Sequence, residues 1–351
     1  MRKTIERVHP SKLVLILMVA AVFAGIALRP NMTYAAELVK DAERPEEIRF
    51  TVGVAAITAG LLEYAVKTGL FEEEFGKDGI KISFTNYTGS GTNAVNALVA
   101  NQADFAPSVG DQPTVIAAAG GIPVHPIAVY MKGNLRGNDK YMSVLAGKDT
   151  GIRTIKDLKG KVVAAQIGTN HHAVLLRSLK AYGLSVSDIK LANMRGPDIV
   201  TALLNGSIDA GVSNQPNVAQ LIAEGAYPLD TDESEMTFNY NVIIARDGFA
   251  EKYPETTRRV LGVFAKAAKR SQENGDELLE IISEYVKLDK EITAAALRSV
   301  VYDVGLPDDA VAYFSASQDF LSENKLIEKK ADDITKLFNT RFLEELNIIG
   351  K

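Results

Sequence analysis

The sequence predicts an α/β protein of two lobes, each a mostly parallel sheet flanked by helices, with a helical C-terminal tail. Three observations lead to this prediction. Strand-like runs alternate with helix-like runs between residues 48 and 245. One loop–helix–strand unit occurs twice, at Gly91–Asp111 and again 105 residues later at Gly196–Pro216. From Pro254 onward, the apolar residues recur at helical spacing.

The two copies of the repeated unit share the same pattern and are identical at six positions. Each copy begins with a Gly-bearing loop, continues as a short amphipathic helix and a polar turn, and ends as an apolar strand followed by small polar residues. In parallel α/β sheets, ligands bind outside the carboxyl ends of the strands, beside helix N-termini. Two facing lobes would therefore present both copies to one shared cleft. The identical positions are Gly91 and Gly196, Val95 and Val200, Ala97 and Ala202, Leu98 and Leu203, Asp104 and Asp209, and Ser108 and Ser213.

The first lobe is predicted from residues 36–132 together with residues 240–351. Its charged start, Lys40–Glu47, is typical of a leading arm. Ile48–Val54 alternates in polarity and is rich in β-branched residues, which predicts the first strand. A helix is predicted at Leu61–Glu74 from the spacing of its apolar residues. The remaining elements are strands at Ile80–Asn86, Phe105–Val109 and Pro126–Met131, the first repeat helix, and a buried helical turn at Thr114–Ala119.

The second lobe is predicted from residues 133–239. Gly133–Tyr141 contains two Gly and two Asn, which is typical of a surface crossing between lobes. Asn241–Ala245 is predicted as a strand on the return crossing. The lobe's other elements are strands at Ser143–Lys148, Lys161–Ala165, Lys190–Met194 and Ala210–Ser213, with helices at Thr154–Leu158 and Ala173–Tyr182 and the second repeat helix. The tail is predicted as helices at Glu255–Glu273, Asp276–Lys287, Ile292–Val304, Asp308–Glu323 and Ala331–Leu346.

Residues 1–35 have the features of a secretory signal peptide. A basic leader precedes the apolar run Leu13–Leu28, and Thr33-Tyr34-Ala35 places small residues where a signal peptidase reads. The alternative is an uncleaved membrane anchor, although 16 apolar residues are short for a membrane span. The chain contains no cysteine, so it has neither a disulfide nor a lipobox cysteine. We therefore expect a freely soluble exported protein in the periplasm.

The net charge of the chain indicates which classes of partner it is not expected to bind. The net charge is −5, and removal of the predicted signal peptide, residues 1–35, would make it about −9. A mildly acidic chain without basic clusters is not expected to bind nucleic acid or an anionic membrane surface.

With these elements in place, the chain resembles the substrate-binding proteins of ABC importers, in particular those of the sulfonate/taurine/nitrate type with the type II periplasmic binding-protein fold. The resemblance covers about residues 48–346. It is carried by VGVAAITAG, KTGLFEEEFGKDGIKISF, NQADFA and GDQP, then by IRTIKDLKGKVVAAQIGTNHHAVLLRSLKAYGL, NGSIDAG and YDVGLPDDAV. The chain departs from many relatives in having Asn214-Gln215 at the end of a second-lobe strand, where an aromatic residue or a carboxylate is common. It also contains no Trp.

The resemblance implies two lobes that close on a small molecule and deliver it to the transmembrane subunits of a permease, which is driven by a cytoplasmic ATPase. It implies no cofactor. A monomer is the expected form for such delivery.

Residues at the ends of strands and the starts of helices are the candidates for holding this ligand. Side chains and N–H groups in those places are held rigidly, and helix N-termini favour an anion. The candidates are Thr58 after the first strand; Ser90, Gly91 and Thr92 at the first repeat helix; Asp111; Thr169, Asn170 and His171 at the matching second-lobe helix; Arg195; and Asn214 with Gln215.

Two of these candidates carry charge, and each has an alternative role. Arg195 occupies the repeat position of Ser90, and its guanidinium suits the oxygens of a carboxylate or sulfonate. The alternative for Arg195 is a solvated loop arginine. Asp111 either caps the helix that follows or, if it faces the cleft, favours a ligand with an amine. The Ser and Thr candidates can equally be helix caps.

His171 and His172 do not predict a metal site. Adjacent side chains point in different directions, and no further His or carboxylate lies at ligand spacing. One of the two is instead a candidate hydrogen-bond donor to the ligand, and His171 is preferred because it lies nearer the loop.

The sequence therefore predicts a receptor for a small organic anion, with an aliphatic sulfonate as the leading expectation. Taurine, nitrate, bicarbonate, an aromatic carboxylate and a pyrimidine vitamin precursor remain open as ligands. The alternative function is an enzyme on the same two-lobed fold, with His171 or His172 as general base. No Ser/His/Asp order, metal motif or Walker-type loop favours an enzyme, and no DNA-binding or signalling segment favours a sensor.

Overall fold

The computed structural model describes residues 41–53, 57–87, 91–137, 139–231 and 238–346. The predicted signal peptide and Ser90 lie outside these residues. Two β-sheets flanked by helices form the described chain, and each sheet with its helices is called a lobe below. The predicted two-lobed α/β fold with a helical C-terminal region is confirmed. No helix among the described residues is long and apolar enough to span a membrane.

The strands are numbered β1–β11 in chain order. The strands of lobe 1 are β1 (Glu47–Gly53), β2 (Lys81–Tyr87), β3 (Phe105–Gly110), β4 (His125–Asn134), β10 (Phe238–Ala245) and β11 (Val300–Gly305). Those of lobe 2 are β5 (Met142–Ala146), β6 (Val162–Ala165), β7 (Lys190–Asn193), β8 (Ala210–Asn214) and β9 (Tyr227–Pro228).

The helices are numbered α1–α13 in the same way. They are α1 (Gly60–Lys67), α2 (Leu70–Phe75), α3 (Gly91–Val99), α4 (Asp111–Ala119), α5 (Asn170–Ala181), α6 (Gly196–Leu204), α7 (Asn217–Ala223), α8 (Asp247–Lys252), α9 (Pro254–Glu273), α10 (Gly275–Val286), α11 (Lys290–Arg298), α12 (Ala310–Glu323) and α13 (Arg341–Leu346). Short 3-10 helices lie at Ile57–Ala59, Gly76–Asp78, Ile155–Leu158, Val186–Asp188 and Ile334–Lys336.

Both sheets are mixed rather than mostly parallel, which corrects the sequence prediction on this point. The strand order is β11-β4-β10-β3-β1-β2 in lobe 1 and β7-β6-β8-β5-β9 in lobe 2. β10 runs antiparallel to β3 and β4, and β5 runs antiparallel to β8. β10 and β5 are the strands that arrive from the other lobe. They enter at the carboxyl ends of the parallel strands and must run back along them.

The repeated unit of the sequence is repeated in the structure. α3 and α6 begin at Gly91 and Gly196, and β3 and β8 begin at Phe105 and Ala210, so the 105-residue offset is kept at the start of each element. The aspartate shared by the two copies makes an equivalent hydrogen bond in each lobe. Asp104 accepts a hydrogen bond from the backbone N–H of Arg49 at 3.0 Å, and Asp209 accepts one from the N–H of Val162 at 2.8 Å. Each aspartate therefore ties the start of its repeat strand to the neighbouring parallel strand.

Lobe 1 has an aromatic core centred on Phe50 of β1. The ring of Phe50 is fully buried and lies 5.3 to 6.1 Å from the rings of Phe71, Phe84, Phe105 and Phe264. Phe264 belongs to α9, so this contact attaches the helical tail to the sheet. Edge-on and offset ring pairs of this kind add to the stabilisation from burial.

Three predicted helices differ from the structure. The helix at Leu61–Glu74 is broken into α1 and α2 at Gly69, whose φ of 73° is a left-handed conformation that only glycine adopts without strain. The helix at Ile292–Val304 ends at Arg298, and Val300–Gly305 is strand β11, which pairs with the edge of β4. The stretch Ala331–Leu346 contains only a 3-10 turn and the short helix α13. In both tail segments, packing on lobe 1 overrides the helical spacing of apolar residues.

Asp104 also binds two guanidinium groups, which makes it the better-anchored of the two repeat aspartates. Its carboxylate accepts hydrogen bonds from Nε and Nη2 of Arg49 at 2.9 and 2.8 Å and from Nη2 of Arg246 at 2.7 Å. Burial alone would raise the pKa of Asp104, but the bonds from Arg49 and Arg246 hold it below the ordinary aspartate value. The ionised form is therefore stabilised by folding.

We expect Asp104→Asn to lower the free energy of unfolding by about 2–4 kcal/mol at pH 7, because two guanidiniums lose their counter-charge. A group with a lowered folded pKa contributes stability above its unfolded pKa of about 4, and this contribution is lost as pH falls through the folded value. The gap between wild type and variant in urea unfolding should therefore close below about pH 4. Asp209→Asn is the matched control, since the described structure gives it a backbone donor and no guanidinium, and it should cost less. An equal loss of unfolding free energy in the two variants would show that the two arginines contribute nothing to stability through Asp104.

Candidate functional site

A cavity of about 430 Å³ lies between the two lobes. Its walls come from the carboxyl ends of β1, β2, β3 and β8 and from the helices that follow them. Volumes of this size are common for small-molecule sites. The described lining residues are Gly53, Thr58, Tyr87, Gly91, Ser108, Gly110, Pro113, Tyr141, Met142, Gln166, Thr169, Asn170, His171, Gly196, Pro197, Asn214, Gln215, Pro216, Asn217 and Asn241.

Four helices of nine or more residues begin at the wall of this cleft, as does the shorter α7. Gly91 and Gly196 are the first residues of α3 and α6, Gly110 is the N-cap of α4, and Thr169 is the N-cap of α5. The first N–H groups of a helix have no partner within the helix, and the helix dipole places partial positive charge there. Two helices from each lobe therefore direct donors and positive potential into one cavity.

The described lining of the cleft contains no Asp, Glu, Lys or Arg. The sequence segments 54–56 and 88–90, which adjoin Gly53 and Gly91 in the chain, contain no ionisable residue either. His171 is thus the only described lining residue that can gain a positive charge near neutral pH. The cleft attracts an anion mainly through neutral donors and backbone dipoles.

His171 belongs to a chain of hydrogen bonds along the floor of the cleft. Its Nε2 lies 3.2 Å from Oδ1 of Asn214, and Nδ2 of Asn214 donates to the hydroxyl of Tyr141 at 3.2 Å. An amide oxygen only accepts, so the imidazole proton is on Nε2. Burial lowers the pKa of His171, and the bond to Asn214 offsets part of that effect. The ring is therefore neutral in the empty cleft at pH 7.

Ser108 has a strained backbone at the edge of the cavity. Its φ of 66° is in the left-handed region, which is uncommon for a residue other than Gly, Asn or Asp. Nδ2 of Asn241 donates to the carbonyl of Ser108 at 3.2 Å and lies 3.0 Å from its Oγ, which holds this conformation in place. Strain that the surrounding structure maintains is common at ligand sites.

The structure brings together most of the residues predicted from the sequence. Seven of the eleven predicted site residues line the cleft: Thr58, Gly91, Thr169, Asn170, His171, Asn214 and Gln215. Gln215 is buried, and both ends of its amide are bonded to the protein, to the carbonyl of Lys140 at 3.1 Å and to the N–H of Ala219 at 3.2 Å. Gln215 therefore shapes the wall. Whether any of the seven contacts a ligand stays a prediction.

The other four predicted residues are not among the described lining residues of the cleft. Arg195 is exposed and pairs with Asp198 at 2.9 Å, so its guanidinium is directed along α6 instead of lining the cavity. Asp111 is fully buried behind the wall, and Thr92 is exposed on α3. Ser90 lies outside the described residues. A role for these four in binding remains a prediction from the sequence.

Several lining residues were not predicted, although features of the sequence could have identified some of them. Ser108 matches Ser213 in the repeat, and Asn241 is a polar residue within an otherwise apolar strand. Tyr141 and Met142 enter the cleft from the crossing between lobes, which no local pattern shows. Tyr87, at the end of β2, could have been expected from its place at a strand end.

His172 is buried next to His171 but does not line the cleft. Burial lowers its pKa as well. Among the described residues, no group of three His, Asp or Glu side chains is placed to hold a metal ion.

A second and larger groove, of about 840 Å³, lies between α7 of lobe 2 and α11 of lobe 1. Gln215 separates it from the cleft, since this residue lines both. The groove carries charges of both signs, including Lys140, Arg298 and Asp289, and none of the four helix N-termini opens into it. We take the smaller cleft as the functional site because the helix N-termini of both lobes meet there.

Comparison with known proteins agrees with this fold. A protein of Bacillus subtilis (strain 168) named as an aliphatic sulfonates-binding protein is 29% identical over 294 residues, which cover 83% of this chain and 86% of that one. The crystal structure of the periplasmic aliphatic sulphonate binding protein SsuA from Escherichia coli matches with a TM-score of 0.68 and 25% identity, covering 84% of this chain and 92% of that one.

The fold is also shared with an enzyme. The desulfurization enzyme DSZB, crystallised as a cysteine-to-serine mutant with biphenyl-2-sulfinic acid, matches with a TM-score of 0.63 and 15% identity over 86% of this chain and 99% of that one. At this identity the match shows the fold alone.

The resemblance stated from the sequence is confirmed by these relatives. The model of one family, described as NMT1/THI5 like, matches residues 61–278, which is more than half of the chain. The chain belongs to the NMT1/THI5-like family.

Proposed function

We propose that this protein is the solute-binding receptor of an ABC importer and that it binds an aliphatic sulfonate in the cleft between its lobes. One observation carries the proposal: four helix N-termini, two from each lobe, open into a cavity whose described lining has no ionised side chain. The sulfonate-binding names of the relatives support the choice of ligand.

A sulfonate group suits this arrangement. It carries one negative charge spread over three oxygens that only accept hydrogen bonds, and the helix N-termini offer backbone donors from several directions. On the lobe 2 side, the amide of Asn214 has a second N–H, and His171 gains a donor at Nδ1 when its ring is protonated. A micromolar dissociation constant needs about −8 kcal/mol, within reach of a few charge-assisted hydrogen bonds in a closed cleft.

The rest of the cleft suits an uncharged aliphatic group. Tyr87, Met142 and Pro113 supply apolar surface to the cavity. Nitrate is much smaller than a volume of about 430 Å³ and would leave this surface unused. Taurine carries an ammonium group, and the one acidic candidate, Asp111, is buried behind the wall with its oxygens already bonded. An alkanesulfonate therefore fits better than taurine.

A receptor also fits better than an enzyme. His171 is neutral and could in principle accept a proton. The described lining offers no carboxylate or amine to act with it, and the chain has no cysteine, the residue that was replaced in the DSZB complex. General acid–base chemistry needs a positioned partner for the base. The cleft instead offers backbone donors at helix N-termini.

The same proposal includes the location and the partners. The signal-peptide pattern of residues 1–35 supports export to the periplasm. The closed protein would deliver the sulfonate as a monomer to the transmembrane subunits of the importer. We keep the lobe boundaries predicted from the sequence, with the crossings between Asn134 and Met142 and between Pro228 and Phe238 as hinges.

The first prediction concerns the ligand. In a thermal-shift panel followed by calorimetry, short alkanesulfonates should stabilise the mature protein and be recovered unchanged. Taurine should bind at least about tenfold more weakly than ethanesulfonate, because its ammonium has no counter-charge in the cleft. Nitrate, aromatic carboxylates and pyrimidines complete the panel. A stronger shift with any of these than with every sulfonate would overturn the ligand assignment.

The second prediction concerns pH. An anion beside His171 favours the protonated ring, so binding should raise the lowered pKa of this residue and take up a proton. The dissociation constant should therefore fall as pH falls, by up to about tenfold per unit between the free and bound pKa values. Tyr87 and Tyr141 also face the cleft, and burial raises the pKa of both, so they stay neutral in this range.

His171→Gln should abolish this pH dependence, while His172→Gln should keep it, since His172 does not line the cleft. Calorimetry in two buffers of different ionisation enthalpy counts the protons taken up. No proton uptake by the wild type would show that His171 stays neutral in the complex.

The third prediction separates two candidate contacts. Asn214→Ala should weaken sulfonate binding by roughly 5- to 30-fold, because a donor and the partner of His171 are lost. Arg195→Ala should change the affinity by less than about threefold, because its exposed guanidinium is paired with Asp198. The reverse order would restore Arg195 as the main contact to the anion.

A further inference from the structure

The two lobes touch at a point that is separate from the chain crossings. Asp111 is the first residue of α4 in lobe 1, and Asn170 is the first residue of α5 in lobe 2. Nδ2 of Asn170 donates a hydrogen bond to Oδ1 of Asp111 at 2.5 Å. Neither residue belongs to the crossings at residues 135–141 and 229–237. The contact is therefore a non-covalent connection between the lobes, separate from the two chain crossings.

Hydrogen bonds within lobe 1 fix the side chain of Asp111 in position for this bond. Its second oxygen accepts from the hydroxyl of Ser317 at 2.6 Å and from Nε2 of Gln112 at 2.7 Å. The residue is completely buried and does not line the cleft. It does not cap α4 either, since Gly110 is the N-cap and no side-chain cap bond forms there. The helix-cap role foreseen for Asp111 is thus absent from this arrangement.

The backbone next to Asp111 is shaped for the approach of lobe 2. A Cβ atom at Gly110 would lie 2.6 Å from Oδ1 of Asn170, closer than two such atoms can come. Only glycine at this position lets the side chain of Asn170 pass to Asp111. About two turns after Asn170 on α5, the guanidinium of Arg177 stacks on the ring of Phe320 of α12, 4.0 Å from its centroid. The same two lobes are therefore packed directly together along this side.

Asn170 connects this contact to the ligand site. It lines the cleft, and it stands between Thr169 and His171 in the first turn of α5. Moving lobe 2 away from lobe 1 would withdraw Asn170 from Asp111 and withdraw the N-terminus of α5 from the cavity. The bond and the complete set of cleft donors therefore form together.

We propose that Asp111 is an interlobe latch: its buried carboxylate binds Asn170 and holds the N-terminus of α5 in its ligand-binding position. Asp111 is in this sense a positioning residue and does not touch the ligand. The effect of this latch on ligand affinity rests on the proposed receptor function, whereas its effect on the distance between the lobes does not. In the ligand-free protein, the latch raises the fraction of closed molecules, and apparent affinity increases with that fraction.

The test measures the distance between the lobes directly. Because the chain has no cysteine, single cysteines for spin labels can be placed at Val99 and Leu204, two exposed residues at equivalent ends of the repeat helices. Double electron–electron resonance then gives the interlobe distance distribution of the ligand-free mature protein. Asp111→Ala should shift this distribution to longer distances. Ethanesulfonate at saturation should restore the short distance, with a dissociation constant raised roughly tenfold or more.

Two further variants keep the test decisive. Asp111→Asn keeps the side-chain shape and should shift the distances in the same direction by less, so it replaces Asp111→Ala if that variant fails to fold. Ser317→Ala removes a partner of Asp111 within lobe 1 without touching lobe 2, and it should keep the wild-type distances.

An unchanged distribution in both Asp111 variants would overturn the latch, and so would an equal shift in Ser317→Ala, which would point to local packing of α4. If the wild type binds no sulfonate, the proposed function fails, while the ligand-free distances still decide the latch.

Discussion

The architecture depends on the direction in which the chain enters each lobe. β5 and β10 arrive from the opposite lobe and run back along β8 and β3, so the carboxyl ends of the parallel strands in both sheets face the gap between the lobes. The helices that follow those strands consequently start at the gap. This topology alone supplies the donors and the positive potential of the cleft, and the described site needs no ionised side chain to attract an anion.

Much of the fold and part of the site could be predicted because the sequence patterns that indicate them are local or occur twice. The duplicated unit placed α3, β3, α6 and β8 correctly, and the shared Asp104 and Asp209 turned out to perform the same backbone tie in each lobe. Residues at strand ends and helix starts, such as Thr169 and Asn214, were recognisable because the geometry of α/β sheets places such positions at the ligand edge.

The remaining features depend on contacts between distant segments. Val300–Gly305 has helix-compatible spacing but becomes a strand because the edge of β4 is open to it. Arg195 has an anion-binding side chain at a helix start, but the sequence alone does not show that Asp198, one turn away, pairs with it. Asp111 looked like a cap or an amine ligand, since no local pattern shows that Asn170, 59 residues later, reaches it from the other lobe. Tyr141 enters the cleft only because a crossing passes there.

The absence of ionised groups from the described cleft also affects how quickly a ligand arrives. The chain as a whole carries a net charge of −5, and nothing in the described lining concentrates positive side chains at the entrance. Helix dipoles act over about one turn, so they hold an anion that has already entered but do not draw one in from a distance. Encounter therefore proceeds without long-range electrostatic steering, and added salt changes the association rate little.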